Sequence, residues 1–348
     1  MRFSFDQRDF RNSILLVGIG ATNKYYNDIV KPANKAEMLE VFGDCDLTDA
    51  FNIALDIGAL GIYVMNIEKI HDYISASNLI SSMNFTYIVP IDIKLSDYYY
   101  DPTANSKKIF YIQYLMEVLY SASCTSTVIA TDNHASLYED IDAFIDAMNV
   151  VRQNFKDAQT NKSQYRNVIF VLNNLDNRNW SNVDLAAMIN STAINLYPVY
   201  ETVPEDIDVI FDIDTHDVTT DMCYFKRHVD SSITIENLLN LDTESSSPIK
   251  FEPVNRIQKY IFTGDMGMEN YIGKIYTAMS QELILDSLIE YMDQYLGYLL
   301  IKYDINDIAT KYNNNHPGCV SIMIKMAIQP IGCVEKFEVT KIINGNNV

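Results

Sequence analysis

The stretch Ile14–Asn23, Ile-Leu-Leu-Val-Gly-Ile-Gly-Ala-Thr-Asn, places four consecutive aliphatic residues in front of a Gly-x-Gly. An apolar run without polar alternation reads as a strand buried on both faces, over residues 13–20, as in a parallel sheet covered by helices. A strand that runs into Gly-x-Gly also raises the question of a nucleotide, because dinucleotide sites rest the pyrophosphate on the amides of a helix starting at such a turn. That fingerprint needs a third glycine and an immediate helix. Here Asn23 takes the third position, and the following residues include Lys31-Pro32, where the residue before proline is pushed out of the helical region. Gly18 and Gly20 are therefore read as permitting a tight turn or close backbone packing, and no cofactor is expected.

Working outward, "KAEMLEVF" forms a helix over 35–42 stopped by Gly43, and Leu47, Ala50, Phe51, Ala54 and Leu55 recur at helical spacing over 47–57. Strand-like runs follow at 60–66, 86–91, 126–131 and 167–173, interleaved with helical stretches at 106–120, 136–157 and 181–195. Strands alternating with helices imply an α/β layer with a largely parallel sheet. After about residue 240 the pattern changes: "LDTESSSPIKFEP" is a polar connection and the best boundary in the chain. Beyond it, Ile272, Ile275, Tyr276, Met279 and Leu283 mark an amphipathic helix running towards Leu296, and a second helix is expected near 304–313. The chain closes with two strands, "CVSIMIKMAI" and "VEKFEVTKII", joined around Gln329-Pro330-Ile331-Gly332 as a hairpin. Ile322, Ile324, Met326 and Ile328 share one face of the first strand. Two strands cannot stand alone in water, and an unpaired edge is a template for strand addition by a neighbour. The expected organisation is an arm over 1–12, an α/β core over 13–250, a helical and β domain over 251–332, and a second arm over 333–348.

Composition narrows the function classes. The net charge of −20 repels a phosphate backbone, and no Lys/Arg tract forms, so neither nucleic acid nor an acidic membrane surface is an expected partner. Five dispersed cysteines without Cys-x-x-Cys argue against a disulfide framework or zinc knuckle. The opening "MRFSFDQRDF" lacks a secretory apolar core.

Motifs for catalysis are sparse. Asp212 and Asp214, two apart, would face one side of a strand and hold Mg²⁺, which supplies the alternative reading of a metal- or nucleotide-dependent enzyme. His216, Cys223 and His228 would need a fourth ligand to bind zinc. No Gly-x-Ser-x-Gly, HExxH or GxxxxGK[ST] occurs, so the chain is expected not to be an enzyme, with no catalytic, cofactor or metal residues.

Two blocks resemble the contractile tail sheath proteins of bacteriophages and related injection machines. The first is "RNSILLVGIGATNKYYNDIVKPANKAEMLEVFGDCDLTDAFNIALDIGALGIYVMNI", and the second is "GCVSIMIKMAIQPIGCVEKFEVTKI". The resemblance implies an α/β fold, α+β overall. It has a central α/β sandwich likened to subtilisin without its catalytic residues, then C-terminal helices packed on a small β-sheet with terminal strand arms. It implies a homo-oligomeric helical polymer around an inner tail tube protein, capped by baseplate and tail terminator proteins. Contraction of that polymer drives the tube through an envelope. By position, the inter-subunit arms would carry Phe3, Phe5, Val334, Phe337, Val339 and Ile342. The location implied is a virion tail or injection-particle sheath assembled in the host bacterial cytoplasm. The short N-terminal arm, lacking the family's usual opening, keeps a second possibility in view: a sheath-like collar, cap or baseplate component that forms no long polymer.

Overall fold

In the computed structural model, the described residues are 12–83, 85–101, 107–122, 124–158, 167–192, 198, 207–213, 221–229, 231–241, 256–257, 260–261, 278–312 and 320–330. The chain divides into two compact units, Met1–Gly264 and Asp265–Val348. The junction expected at 250/251 lies outside the described residues.

The first unit is built on a six-stranded sheet. Its strands are β1 (Ile14–Ile19), β2 (Ile29–Val30), β3 (Ile62–Ile67), β4 (Tyr87–Pro90), β7 (Thr127–Ala130) and β8 (Val168–Phe170), in the order β2-β3-β1-β4-β7-β8. Every pairing is parallel except that of the edge strand β2 with β3. The unbroken apolar runs mean what they imply: β1 offers Leu15 and Val17 to one face and Ile14 and Leu16 to the other, and all four are fully buried. Against the first face pack α3 (Tyr73–Ile80), α4 (Tyr111–Ser121) and α5 (Ile141–Asp157), through residues such as Tyr73, Ile112, Phe144 and Met148. Against the second pack α1 (Lys35–Phe42), α2 (Asp46–Asp56) and α6 (Ser181–Ser191), through Phe42, Phe51 and Leu185. The unit is thus an α/β/α sandwich. Because β3 lies on one side of β1 and β4 on the other, the strand order reverses between β1 and β4.

Local signals fixed several boundaries. Asn34 caps α1 with its side-chain oxygen on the Glu37 amide at 3.0 Å, and Gly43 ends it at φ 78°, a conformation that favours glycine. The helix read over 106–120 begins instead as a strand. Lys107–Phe110 forms β6, paired antiparallel with β5 (Tyr98–Asp101), before α4 starts at Tyr111. Further along, β9 (Tyr224–Arg227) and β10 (Ile233–Glu236) form a hairpin that the sequence reading lacked.

The second unit holds α7 (Ala278–Asp293) and a long antiparallel pair, β11 (Leu300–Tyr312) with β12 (Val320–Pro330). The helix expected near 304–313 is therefore corrected to a strand. Its apolar spacing, Ile305 then Ile308, imitates a helical turn, but the ladder has a shift between Ile305 and Asp307. Ile305 pairs with Met326 and Ile308 with Ile324, so one extra residue restores both positions to the same side of the sheet. "CVSIMIKMAI" is a strand as expected, but its partner among the described residues is β11. The expected partner, "VEKFEVTKII", lies outside them, as does Ile331-Gly332 of the expected turn.

Candidate functional site

The carboxyl edge of a parallel sheet, at the point where strand order reverses, is where open α/β folds place ligands. Here that edge is closed by the protein's own groups. A methyl added at Gly18 would sit 2.9 Å from Cβ of Ile91, and one at Gly20 would sit 3.0 Å from the Asn66 amide group. Asn66 organises the loop after β1: its Oδ1 accepts from the Gly20 amide at 2.8 Å, and its Nδ2 donates to the carbonyls of Thr22 and Lys24. Ala21 N–H then donates to Phe42 O at 2.8 Å. The glycine loop therefore meets the carbonyl end of α1, the partially negative end, where a pyrophosphate site requires the amide end of a helix.

Beside it lies a group of carboxyls. Asp92, held at φ 63°, accepts from the Ile19 amide at 3.2 Å through Oδ2 and shares a hydrogen bond with Asp46 at the start of α2. Asp46 also accepts from Trp180 Nε1 at 3.2 Å, linking this edge to the start of α6. Burial pushes the Asp92 carboxyl up to about 6; the Ile19 amide pulls the other way, and the charge and hydrogen bond of Asp46 add to the rise. Asp49 is also raised, by burial and then by Asp44 and Asp46. The folded pKa of Asp92 exceeds the unfolded value, so its ionisation takes stability away as pH rises from about 4 to 6. Asp92→Asn, which keeps an acceptor for Ile19 and supplies a permanent donor for Asp46, is expected to stabilise the protein at pH 7.5. The gain, discounted for the carboxyl's partial exposure, is about 1 kcal/mol. Urea unfolding at pH 4 and 7.5 checks it: the advantage should vanish at the lower pH, and a wild type more stable at pH 7.5 would refute the pairing.

The other candidate ligands do not converge. Asp212 is an exposed residue outside any strand, which corrects the expectation of two aspartates on one strand face, and Asp214 and His216 fall outside the described residues. Cys223 is buried, with its thiol on the carbonyl of Asn237, while the His228 ring contacts Thr234 Oγ1 at 2.6 Å. Among the described residues, no group of three His, Cys, Asp or Glu side chains is placed to hold a metal ion.

Free strand edges are the other feature that assembly would use. The central sheet blunts both of its own. At one side β2 is two residues long; at the other, the 223–241 segment covers β8, with Cys223 N–H donating to Phe170 O and Leu241 N–H to Val168 O. By contrast, β11 and β12 run for 13 and 11 residues as a two-stranded sheet, so each has one laddered edge among the described residues. Two register shifts interrupt the pair, both by an extra residue in β11, whereas β12 is regular. Tyr303, Ile305, Ile324, Met326 and Ile328 are half-buried, alternating with exposed Lys302, Asp304, Lys325 and Ala327. Tyr303 Oη donates to Asp293 Oδ1 at 2.7 Å, tying β11 to the end of α7. Between them lies a groove of about 520 Å³ lined by Leu285, Ile289, Leu296, Tyr303 and Ile305, with Lys302 and Asp304 at its rim. The residues expected to act as arms, Phe3, Phe5, Val334, Phe337, Val339 and Ile342, lie outside the described residues.

No protein-family model and no curated protein matches this sequence. Solved structures do. A chain of the anti-feeding prophage baseplate superposes with a TM-score of 0.66 at 10% identity, over 96% of this chain and 94% of that one. The sheath complex of an extracellular contractile injection system, PVC, in its contracted state, gives 0.66 at 9% identity over 94% and 91%. The sheath tail protein of Listeria innocua gives 0.58 at 10% identity over 90% and 94%. The chain has the contractile tail sheath fold. The likeness takes in most of the sheath-fold chain on both sides of the comparison, so the α/β/α unit and the terminal hairpin unit both have counterparts in these proteins.

Proposed function

We propose that this protein is a structural, non-enzymatic subunit of a contractile tail sheath, polymerising helically around an inner tube and contracting to drive it through a cell envelope. The observation that carries the reading is the backbone likeness over more than nine-tenths of both chains to a sheath complex in the contracted state. In this reading the first unit corresponds to the subtilisin-like sandwich of sheath proteins. Residues 1–12 and 333–348 are the strand arms, with Phe3, Phe5, Val334, Phe337, Val339 and Ile342 as their contact residues. The blunted edges of the central sheet direct strand addition to the β11–β12 pair, and the regular outer edge of β12 is the better acceptor. The partners are further copies, an inner tail tube protein, and baseplate and tail terminator proteins, in a virion tail or injection particle assembled in the host cytoplasm. Rigid-body repacking of subunits between two lattices is a known class of switch at interfaces.

A second reading, a sheath-like baseplate, collar or cap component, is favoured by the equally high likeness to chains of the anti-feeding prophage baseplate. Negative-stain electron microscopy across protein and salt concentration separates the two. Long hollow cylinders are expected for the sheath; closed rings, or monomers that stay dispersed even with purified tube, would sink it and favour the baseplate, collar or cap component.

A further inference from the structure

Outside the carboxyl edge and the terminal pair, one surface has no use in the reading above: the β5–β6 hairpin. It stands apart from the central sheet as a separate two-stranded unit. Tyr98 and Tyr100 are exposed on one face, their rings edge to face at 5.5 Å, and pair in register with Phe110 and Lys108. The Lys108 ammonium lies 3.9 Å from the Tyr98 ring centroid and 4.7 Å from that of Phe110, while Lys107 pairs with Asp101 on the opposite face. In a chain of net charge −20, this is an aromatic platform carrying a cation. Exposed aromatics grouped in this way mark interaction surfaces more often than they mark solvent-facing decoration.

The same chain carries a surface of complementary chemistry. Glu282, Asp286, Glu290 and Asp293 follow one another at four, four and three residues along α7, all exposed, and no Lys or Arg occurs anywhere in the helix. Like charges one turn apart disfavour an isolated helix, so this row costs stability unless a cation faces it. Exposed Leu283 sits beside Glu282 and offers an aromatic ring an apolar contact. The spans are of one order: the eleven rises from Glu282 to Asp293 cover about 16 Å, and the three rises of a four-residue strand about 10 Å.

We propose that the β5–β6 hairpin of one copy docks on the acidic face of α7 in a second copy, with Lys108 against the carboxylates and Tyr98 and Tyr100 against Leu283. This rests on the reading of the chain as a self-assembling subunit and adds to it an electrostatic contact distinct from strand exchange. Such a contact weakens with salt, since exposed charges are screened within roughly a Debye length of about 8 Å at physiological ionic strength.

The test mixes isotopically heavy and light copies of the full chain, assembles them, and joins touching amines and carboxylates with a zero-length carbodiimide. Heavy-to-light cross-links between Lys108 and the 282–293 carboxylates are expected. Lys108→Glu and Glu282→Lys/Asp286→Lys should each raise the concentration needed for assembly roughly ten-fold or more, and a mixture of the two variants should restore it. Assemblies that form without heavy-to-light cross-links, or single reversals that assemble like wild type, would overturn the docking while leaving the sheath reading intact. Cross-links confined to like isotopes would place the contact within one chain and overturn it equally. A wild-type protein that never assembles would remove the sheath reading itself, and this inference with it.

Discussion

Replacing Asp221 by alanine is expected to destabilise the first unit by about 3–5 kcal/mol. The carboxylate is 3% exposed and takes two hydrogen bonds from the Arg152 guanidinium, one of them at 2.9 Å, and one from Lys156 Nζ at 2.6 Å. Arg152 and Lys156 stand one turn apart on α5, so the helix presents both cations to a residue just ahead of the Cys223 bridge to β8. Burial pushes the Asp221 carboxyl up, but the hydrogen bonds from Arg152 and Lys156 outweigh it and hold the group below the usual carboxylate range. Its stabilisation is therefore complete above the unfolded value near 3.8 and is lost as pH falls through the folded one. Removing the carboxylate leaves two largely buried cations facing each other, which is far worse than never having had them. The triple replacement Arg152→Met/Lys156→Met/Asp221→Leu should recover most of the loss, because an apolar trio of similar volume needs no desolvation of charge. Urea denaturation of the three proteins measures this: an alanine variant within about 1 kcal/mol of wild type would show the triad to be solvated. A triple variant as weak as the alanine variant would show that charge pairing, not filled volume, holds this joint.

Removing residues 333–348 is expected to abolish polymerisation while leaving urea unfolding of the first unit unchanged. The physical reason is the uneven distribution of strand edges. The central sheet ends in strands of two and three residues, whereas β12 runs for 11 residues as one edge of a two-stranded sheet. A two-stranded pair is marginal alone in water, so a strand arriving from a neighbour adds main-chain hydrogen bonds and covers apolar surface together. Phe337→Asp/Val339→Asp in the full-length chain should weaken assembly in the same direction without removing any backbone, since charges on side chains covered at an interface carry a large desolvation cost. Tubes still formed by the truncated protein would refute the assignment of the arm. If the truncation fails while the charged variant assembles normally, the arm acts through its backbone and its side chains are not buried on docking.

Much of the first unit was legible because its signals are local. A run of aliphatic residues buried on both faces can only be an inner strand, and Asn34 and Gly43 bracket α1 by hydrogen bonding and backbone geometry within a few residues. The same locality misled the reading of 304–313. Apolar residues three apart suit a helix or a bulged strand equally, and only the ladder to 320–328 decides between them. The start of α4 was misplaced for a related reason: Lys107–Phe110 became a strand because Tyr98–Asp101 was there to pair with it.

At the candidate sites the division is sharper. The sequence by itself determined that the opening glycines end a buried strand, that strands and helices alternate into a layered core, and that the end blocks resemble sheath proteins. Tertiary structure alone decided that Asn66 holds the glycine loop against the carbonyl end of α1, that Asp92 shares a hydrogen bond with Asp46, and that Asp221 meets Arg152 from 69 residues away. It also decided that Asp212, one of the two aspartates expected to share a strand face, is not on a strand. The reason is physical: helix periods, caps and buried runs are set by interactions over a few residues, whereas strand partners, shared protons and buried ion pairs depend on which distant segments the fold brings into contact.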